Sequence, residues 1–414
     1  MPKKTNPAKS SYVPSKKVLE RYANVLVNFA MRDGTGVQPG DVIRVIAEES
    51  AKPLFLEVRR QIWRAGGHVI GAYQPSDKDG FSPTRDFYEH TSMDQVTFFP
   101  EKYWKAIADT VDGTIFIDSC DDTQALKGIE PVKMMAHGKA RLPLKKWLND
   151  KESAGKYWWT IALYGTQAMA DEAGMSLEEY WDQIIKACYL DSTDPLAKWT
   201  AAWEEIARVR DRLNALPIES FRISGPDVDL KILLGDKRKF VGGSGRNIPS
   251  FELFTSPDWR GTEGWIKFNQ PLYRYGNLIE NVYLRFEKGL VVESKASKGE
   301  KVLKEMIATE GANKVGEFSL TDKRLSRITR FMAETLYDEN VGGPHGNTHI
   351  ALGSSYHDCY DGDPSKVKKA GWEKLGFNDS SVHTDIVSTA PRTVVATLKG
   401  GGERLIYEDG KFVV

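Results

Sequence analysis

The 414-residue sequence carries little of several things that commonly announce a function. Its three cysteines, Cys120, Cys188 and Cys359, are far apart and odd in number. They supply neither a disulfide framework nor the paired thiolates of a structural zinc site, and they suit free thiols in a reducing cytoplasm. No run of about 18 apolar residues occurs, which argues against a membrane-spanning helix. An excess of charge of one sign is also missing. Lys+Arg and Asp+Glu both number 57, and this balance argues against a broad, sequence-independent nucleic-acid surface. Residues 1–17 are rich in Lys, Ser and Pro without an apolar centre, so they read as a flexible arm and not as a signal peptide.

What is present is ample core material, 41% hydrophobic and 11% aromatic, and a length that suits two domains. Behind Ser15, the residues Val18, Leu19, Tyr22, Val25, Leu26 and Phe29 recur at helical spacing. The run Val42–Ile46 reads as a strand, a helix carries Leu54, Val58, Ile62 and Trp63, and Val69–Tyr73 reads as the next strand. This β-α-β order implies a parallel sheet covered by helices. Strands near 113–117 and 158–164 and a helix near 103–108 extend it, so residues 18–217 are expected to form an open α/β domain. Helices fill 166–216, one of them striped by Leu196, Trp199, Trp203, Ile206, Val209 and Leu213 as core. After Pro217 short β segments alternate with glycine turns, and residues 218–414 are expected to form an α+β domain.

The chemistry-bearing residues lie in that second half. Four of the seven histidines fall between positions 345 and 383. In Val382-His383-Thr384-Asp385-Ile386-Val387, strand periodicity turns His383 and Asp385 to one side, as an imidazole and a carboxylate must be to hold one dication. A hydrogen-bonded surface pair is the plainer reading. The glycine-rich run from Asp338 to Gly346 is a loop, and His349 follows it into an apolar stretch, either as a ligand or packed in the core. Glu252 in Phe251-Glu252-Leu253-Phe254 and Glu317 in Val315-Gly316-Glu317-Phe318 are carboxylates among large apolar groups. Such placement is costly unless the charge is paired or metal-bound, though outward alternation on a strand is the blander alternative.

Taken together, these segments resemble the aminopeptidase T / aminopeptidase S family of two-metal exopeptidases. The likeness runs through nearly the whole chain: the Pro39-Gly40-Asp41 turn, AKPLFLEVRRQIWRAGGHVI and ALYGTQAMADEAGMSLEEYW, then GPDVDL, NIPSFELFTSP, VGEFSL, DEN, HIALGSSY and VHTDIV in the family's order. The resemblance implies that Glu252, Glu317, Glu339, His349, His383 and Asp385 are metal ligands and that Tyr356 is an active-site tyrosine. It also implies a homodimer enclosing the active sites. The sequence departs from the family pattern at two points. Phe251 stands where a small residue is usual, and Gly342–Asn347 lengthen the spacing to the histidine, which makes His345 a rival of His349.

The implied set brings four carboxylates to two divalent ions, and oxygen and nitrogen donors without thiolate suit zinc, cobalt or manganese. Two such ions activate a bridging hydroxide for attack on a peptide carbonyl. Glu317 is then the expected general base or bridging ligand, with Glu339 second, and Tyr356 the expected donor to the oxyanion. The expected activity is release of N-terminal residues from peptides by a cytoplasmic enzyme without nucleic-acid or membrane partners. Two other readings remain at this stage. His349, His383 and Asp385 also form the two-histidine-one-carboxylate set of a mononuclear non-haem iron, ring-cleaving dioxygenase. The other is a metal-binding scaffold without catalysis.

Overall fold

The computed structural model describes residues 12–274 and 277–414; residues 1–11 of the expected arm lie outside the described residues. Lys16–Val25 is helical, started by the Ser15 hydroxyl accepting from the Val18 N–H at 3.3 Å, and Leu26–Ala30 continue it as a widened π turn. The first sheet has the order His68–Gln74, Val42–Glu48, Gly113–Asp118, Trp158–Leu163 and Asn247–Ile248, and every pairing is parallel. Its connections are helical, among them Lys52–Arg64 and Glu101–Thr110. A parallel sheet buried under helices needs the continuous apolar strands that the sequence shows.

The 21-residue helix Pro195–Ala215 carries the chain to the second half. Trp199, Ile206, Val209 and Leu213 of its expected stripe are buried. Among the described residues a two-stranded antiparallel pair, Leu272–Arg274 with Asn277–Ile279, and two broader antiparallel sheets follow. The larger has eight strands, from Leu290–Lys295 at one edge to Lys411–Phe412 at the other. The smaller has four, ordered His383–Ser388, Asn347–Gly353, Val315–Thr321, Glu252–Thr255.

The two halves interlock. Asn247–Ile248 adds to the parallel sheet, and Phe251, Ile328, Met332, Leu336, Tyr337 and Val341 belong to the first core. Phe251 stacks on Trp199 at 5.2 Å between ring centroids and 9° between planes. The Tyr180 hydroxyl donates to the Met332 carbonyl at 3.0 Å, and Arg327 pairs with Asp191 at 2.7 Å. The loops that enclose the four-stranded sheet are thus anchored on the α/β half.

Candidate metal centre

The four-stranded sheet is two-faced, and its register explains why. Side chains directly opposite one another in antiparallel pairs share a face. Ser319 lies opposite His349, Glu317 opposite Ala351, Ala351 opposite Asp385, Gly353 opposite His383, and Thr321 opposite Glu252. Strand alternation therefore gathers Glu252, Glu317, His349, His383 and Asp385 on one face. Leu253, Phe318, Leu320, Ile350, Leu352 and Ile386 occupy the other and join the second core. Small residues stand among the donors: Ala351 between Glu317 and Asp385, and Gly353 beside His383. Gly316 makes a bulge in its strand, where a Cβ would collide with the Ser354 carbonyl.

Glu317 holds the middle of the group. Its Oε1 is 3.5 Å from His349 Nε2 and its Oε2 is 3.2 Å from His383 Nε2. His349 Nε2 is also 3.2 Å from Glu252 Oε2 and 3.9 Å from Asp385 Oδ1, and His383 Nε2 is 3.5 Å from Asp385 Oδ1. Glu339 enters from the loop after the one-turn helix Thr335–Asp338. That loop is fixed by two side chains. The Asp338 carboxylate accepts from the N–H groups of Met332 and Glu334 at 2.6 and 2.9 Å, and Asn340 Oδ1 accepts from the Phe251 N–H at 2.6 Å. Three overlapping triads result: Glu252–Glu317–His349, Glu317–His383–Asp385 and Glu339–His349–Asp385, each with donor atoms within 4.8 Å of one another. Among the described residues no other such group forms.

Glu252 and His349 are only 6% and 1% exposed, so the outward alternation open to Glu252 in the sequence is not what the fold adopts. His345 is placed elsewhere, with Nδ1 3.8 Å from Asp409 Oδ1, so the rival for the His349 position does not join the donors. Phe251 lies in the first core and does not line the group. Tyr356 stands beside it, its ring 4.7 Å from that of His383 and 42% exposed.

The electrostatics follow from crowding. Burial works against charged imidazoles, but the Glu252 and Glu317 carboxylates outweigh it at His349 and raise it well above the usual range; Asp385 and Glu317 do the same for His383. Burial and then the neighbouring carboxylates raise Glu339 well above the ordinary range, and burial raises Glu252. Asp385 goes the other way, to about 2, because His383 and His349 overcome its burial. Burial and then the charges of Glu317 and Asp385 raise the Tyr356 phenol, which keeps its proton at neutral pH.

Some contributors carried no sequence signal of their own. The Ser319 hydroxyl donates to Glu252 Oε2 at 2.8 Å, and Asn247 Nδ2 reaches Glu339 Oε1 at 3.4 Å. His383 Nδ1 donates to the Ser354 carbonyl at 2.8 Å, which turns Nε2 toward the carboxylates, where it would offer its lone pair to a metal once deprotonated. Period-2 spacing from Glu317 was the signal available for Ser319. Ser355 and His357 form no triad with Asp358: Ser355 Oγ accepts from Asn378 N–H, His357 stacks on Trp372 at 3.9 Å, and Asp358 pairs with Arg246.

The donor set fits divalent ions. Four carboxylates face two imidazoles, an excess of negative charge in a buried place, and six converging O and N donors exceed what one ion with open positions takes. Glu317, His349 and Asp385 each belong to two of the three triads.

The comparisons with known proteins agree with this chemistry. The profile of a family described as thermophilic metalloprotease (M29) matches residues 15–412. Aminopeptidase T of Thermus thermophilus is 30% identical over 315 residues, 72% of this chain and 75% of the relative. The solved structure of wild-type AmpT from Thermus thermophilus superposes with a TM-score of 0.79 at 23% identity, covering 96% of this chain and all of that one. The structure of a 2,5-dihydroxypyridine dioxygenase from Pseudomonas putida KT2440 superposes with a TM-score of 0.50 at 11% identity, over 97% of this chain and 99% of that one, a likeness of fold alone.

Proposed function

We propose, from the premise that this chain belongs to the thermophilic metalloprotease family M29 and is a metal-dependent aminopeptidase, that Glu252, Glu317, Glu339, His349, His383 and Asp385 hold two divalent ions, zinc, cobalt or manganese. The observation that carries the number two is Glu317, whose two oxygens each face a different imidazole. A carboxylate so placed suits a bridge between two ions better than a terminal ligand of one.

When bound, such a pair supplies Lewis acidity and lowers the pKa of water toward about 7. The residues of the chain do the rest. Glu317 and Asp385, each shared between triads, would be held in common by the pair. Glu317, with Glu339 second, would take the proton of the attacking water and pass it to the leaving amine. Tyr356 keeps its phenol proton and presents an O–H to the oxygen on which charge develops. The free α-amine of the substrate meets the carboxylate-rich face, which selects the N-terminal residue of a peptide.

The working form in this reading is a cytoplasmic homodimer acting on peptides, in keeping with the family resemblance and with Cys120, Cys188 and Cys359 as free thiols. Metal analysis of the purified protein coupled to turnover of aminoacyl chromogenic substrates with zinc, cobalt and manganese tests it. About two ions per chain with turnover is the expected outcome. A single oxidation-sensitive iron without peptide turnover would replace this function with the dioxygenase reading, and tight metal binding without any turnover would leave a scaffold.

A further inference from the structure

Away from these donors, a cavity of about 440 Å³ opens at the carboxyl ends of the parallel strands. From Val42–Glu48 the sheet grows to His68–Gln74 on one side and to Gly113–Asp118 on the other, so the cavity lies where the strand order reverses. Open α/β sheets bind ligands at that place. Such crevices commonly take phosphates on glycine-rich loops and helix N-termini. This one has the opposite polarity. Glu48 and Asp118 end the two strands, and Glu334 faces them from the second half of the chain. None of the three makes a salt bridge among the described residues, and Arg274, whose charge acts on Asp385, is the only basic side chain in the lining.

Two further observations point to a ligand. The Ser119 hydroxyl in the cavity wall is 6% exposed and has no hydrogen-bond partner. The carboxyls themselves lack a counter-charge: burial and then Asp77, Asp121 and Asp118 push Glu48 up to about 7, and burial and then Asp118 push Glu334 up to about 8. These groups do not converge as the metal donors do, since no three of them bring ligand atoms within 4.8 Å. Their spread suits an organic cation, and Phe116 and Met169 in the same wall suit an alkyl stem.

We propose that this cavity is a subsite for the basic side chain of a peptide residue lying beyond the scissile bond, an inference that rests on the aminopeptidase reading. The strand Leu272–Arg274, which walls the cavity, packs against the His383–Ser388 strand. That one strand therefore adjoins both the cavity and a donor-bearing strand. A lysine or arginine one or more residues downstream of the released one reaches it, with the ammonium or guanidinium among the carboxylates and the Ser119 hydroxyl accepting from it.

Two measurements test this on the metal-loaded protein. The first titrates Nα-acetyl-lysine amide and its neutral counterpart, Nα-acetyl-norleucine amide, neither of which offers a free α-amine for processing. The lysine compound is expected to bind at least about tenfold more tightly, and the variant carrying Glu48→Gln with Asp118→Asn is expected to erase the difference. Equal binding of the two compounds to the wild-type protein overturns the proposal. The second compares kcat/KM for Leu-Ala-Lys and Leu-Ala-Ala. The expected preference for lysine is about tenfold and is abolished in the double variant, while turnover of leucine p-nitroanilide stays at the wild-type level. A lysine preference that survives the double variant overturns the proposal. Absence of any peptide cleavage instead defeats the aminopeptidase reading, and the first titration still decides the cavity.

Discussion

Loading the centre with metal is expected to expel protons, and their number follows from the geometry. In the metal-free protein His349 and His383 are raised well above the ordinary imidazole range by the carboxylates facing them, and Glu339 is raised by burial and by Glu252 and Asp385. These shifts favour the protonated form of all three. A ligand nitrogen or oxygen must give its proton up. Filling the site therefore releases up to three protons, and each one released raises the combined affinity by about 1.36 kcal/mol per pH unit. The sign is fixed by the direction of the shifts. Raised groups stabilise the metal-free fold at low pH and lose that contribution as pH rises through their folded values, where metal takes over. Asp385 behaves oppositely: its contribution is present above the ordinary 3.8 and is lost as pH falls through about 2. Calorimetric metal titration in buffers of different ionisation enthalpy counts the protons directly. Release of two to three is expected; fewer than one would refute the assignment of these side chains as ligands.

Four substitutions probe other parts of the argument. Glu317→Gln is expected to lower kcat by about 10³-fold or more and reduce bound metal below two ions, with the circular-dichroism spectrum unchanged. Ser319→Ala removes the donor to Glu252 and is expected to weaken metal affinity about 10–100-fold, as read by competition with a chelator. Tyr356→Phe keeps the ring against His383 but loses the O–H, so kcat is expected to fall about 10²-fold or more with KM little changed. Ala351→Leu puts a larger side chain between Glu317 and Asp385, and metal content is expected to fall at a stability loss of about 1–3 kcal/mol in thermal unfolding.

The α/β half was legible because its strands and helices announce themselves locally. Val42–Glu48 and His68–Gln74 flank a striped helix, and the Ser176–Glu179 capping box starts the helix Leu177–Ala187. The four-stranded sheet was harder to see. Val315–Thr321 and Asn347–Gly353 are buried on both faces, so no polar-apolar alternation with solvent marks them. The pairing of His383 with Asp385 was visible from strand period alone. Glu252 and Glu317 were visible only as misplaced carboxylates, Glu339 only through the family likeness, and that likeness was needed to bring them together. The motif HIALG favoured His349 over His345, and the structure sets the two apart: Gly346 bends the chain between them, and the two imidazoles end up beside different carboxylates. The Ser354 carbonyl and the cavity at the ends of the parallel strands have no sequence signature at all, since each is a product of chain segments far apart.

The two-faced sheet also explains why a group this costly is tolerated. Five ionisable side chains on one face, three of them buried and two partly buried, would destabilise a free-standing sheet through desolvation and mutual repulsion. Here the reverse face of the same strands places Phe318, Leu320, Ile350 and Leu352 fully in the second core, each contributing roughly 1.5–3 kcal/mol of apolar burial. The donors are therefore carried on backbone whose position is set from behind, independently of the charges in front. Such a sheet keeps its shape when the front charges change partner, from imidazolium protons in the metal-free protein to metal ions in the loaded one. That independence is why the substitutions on the donor face are expected to change metal affinity and turnover far more than they change folding.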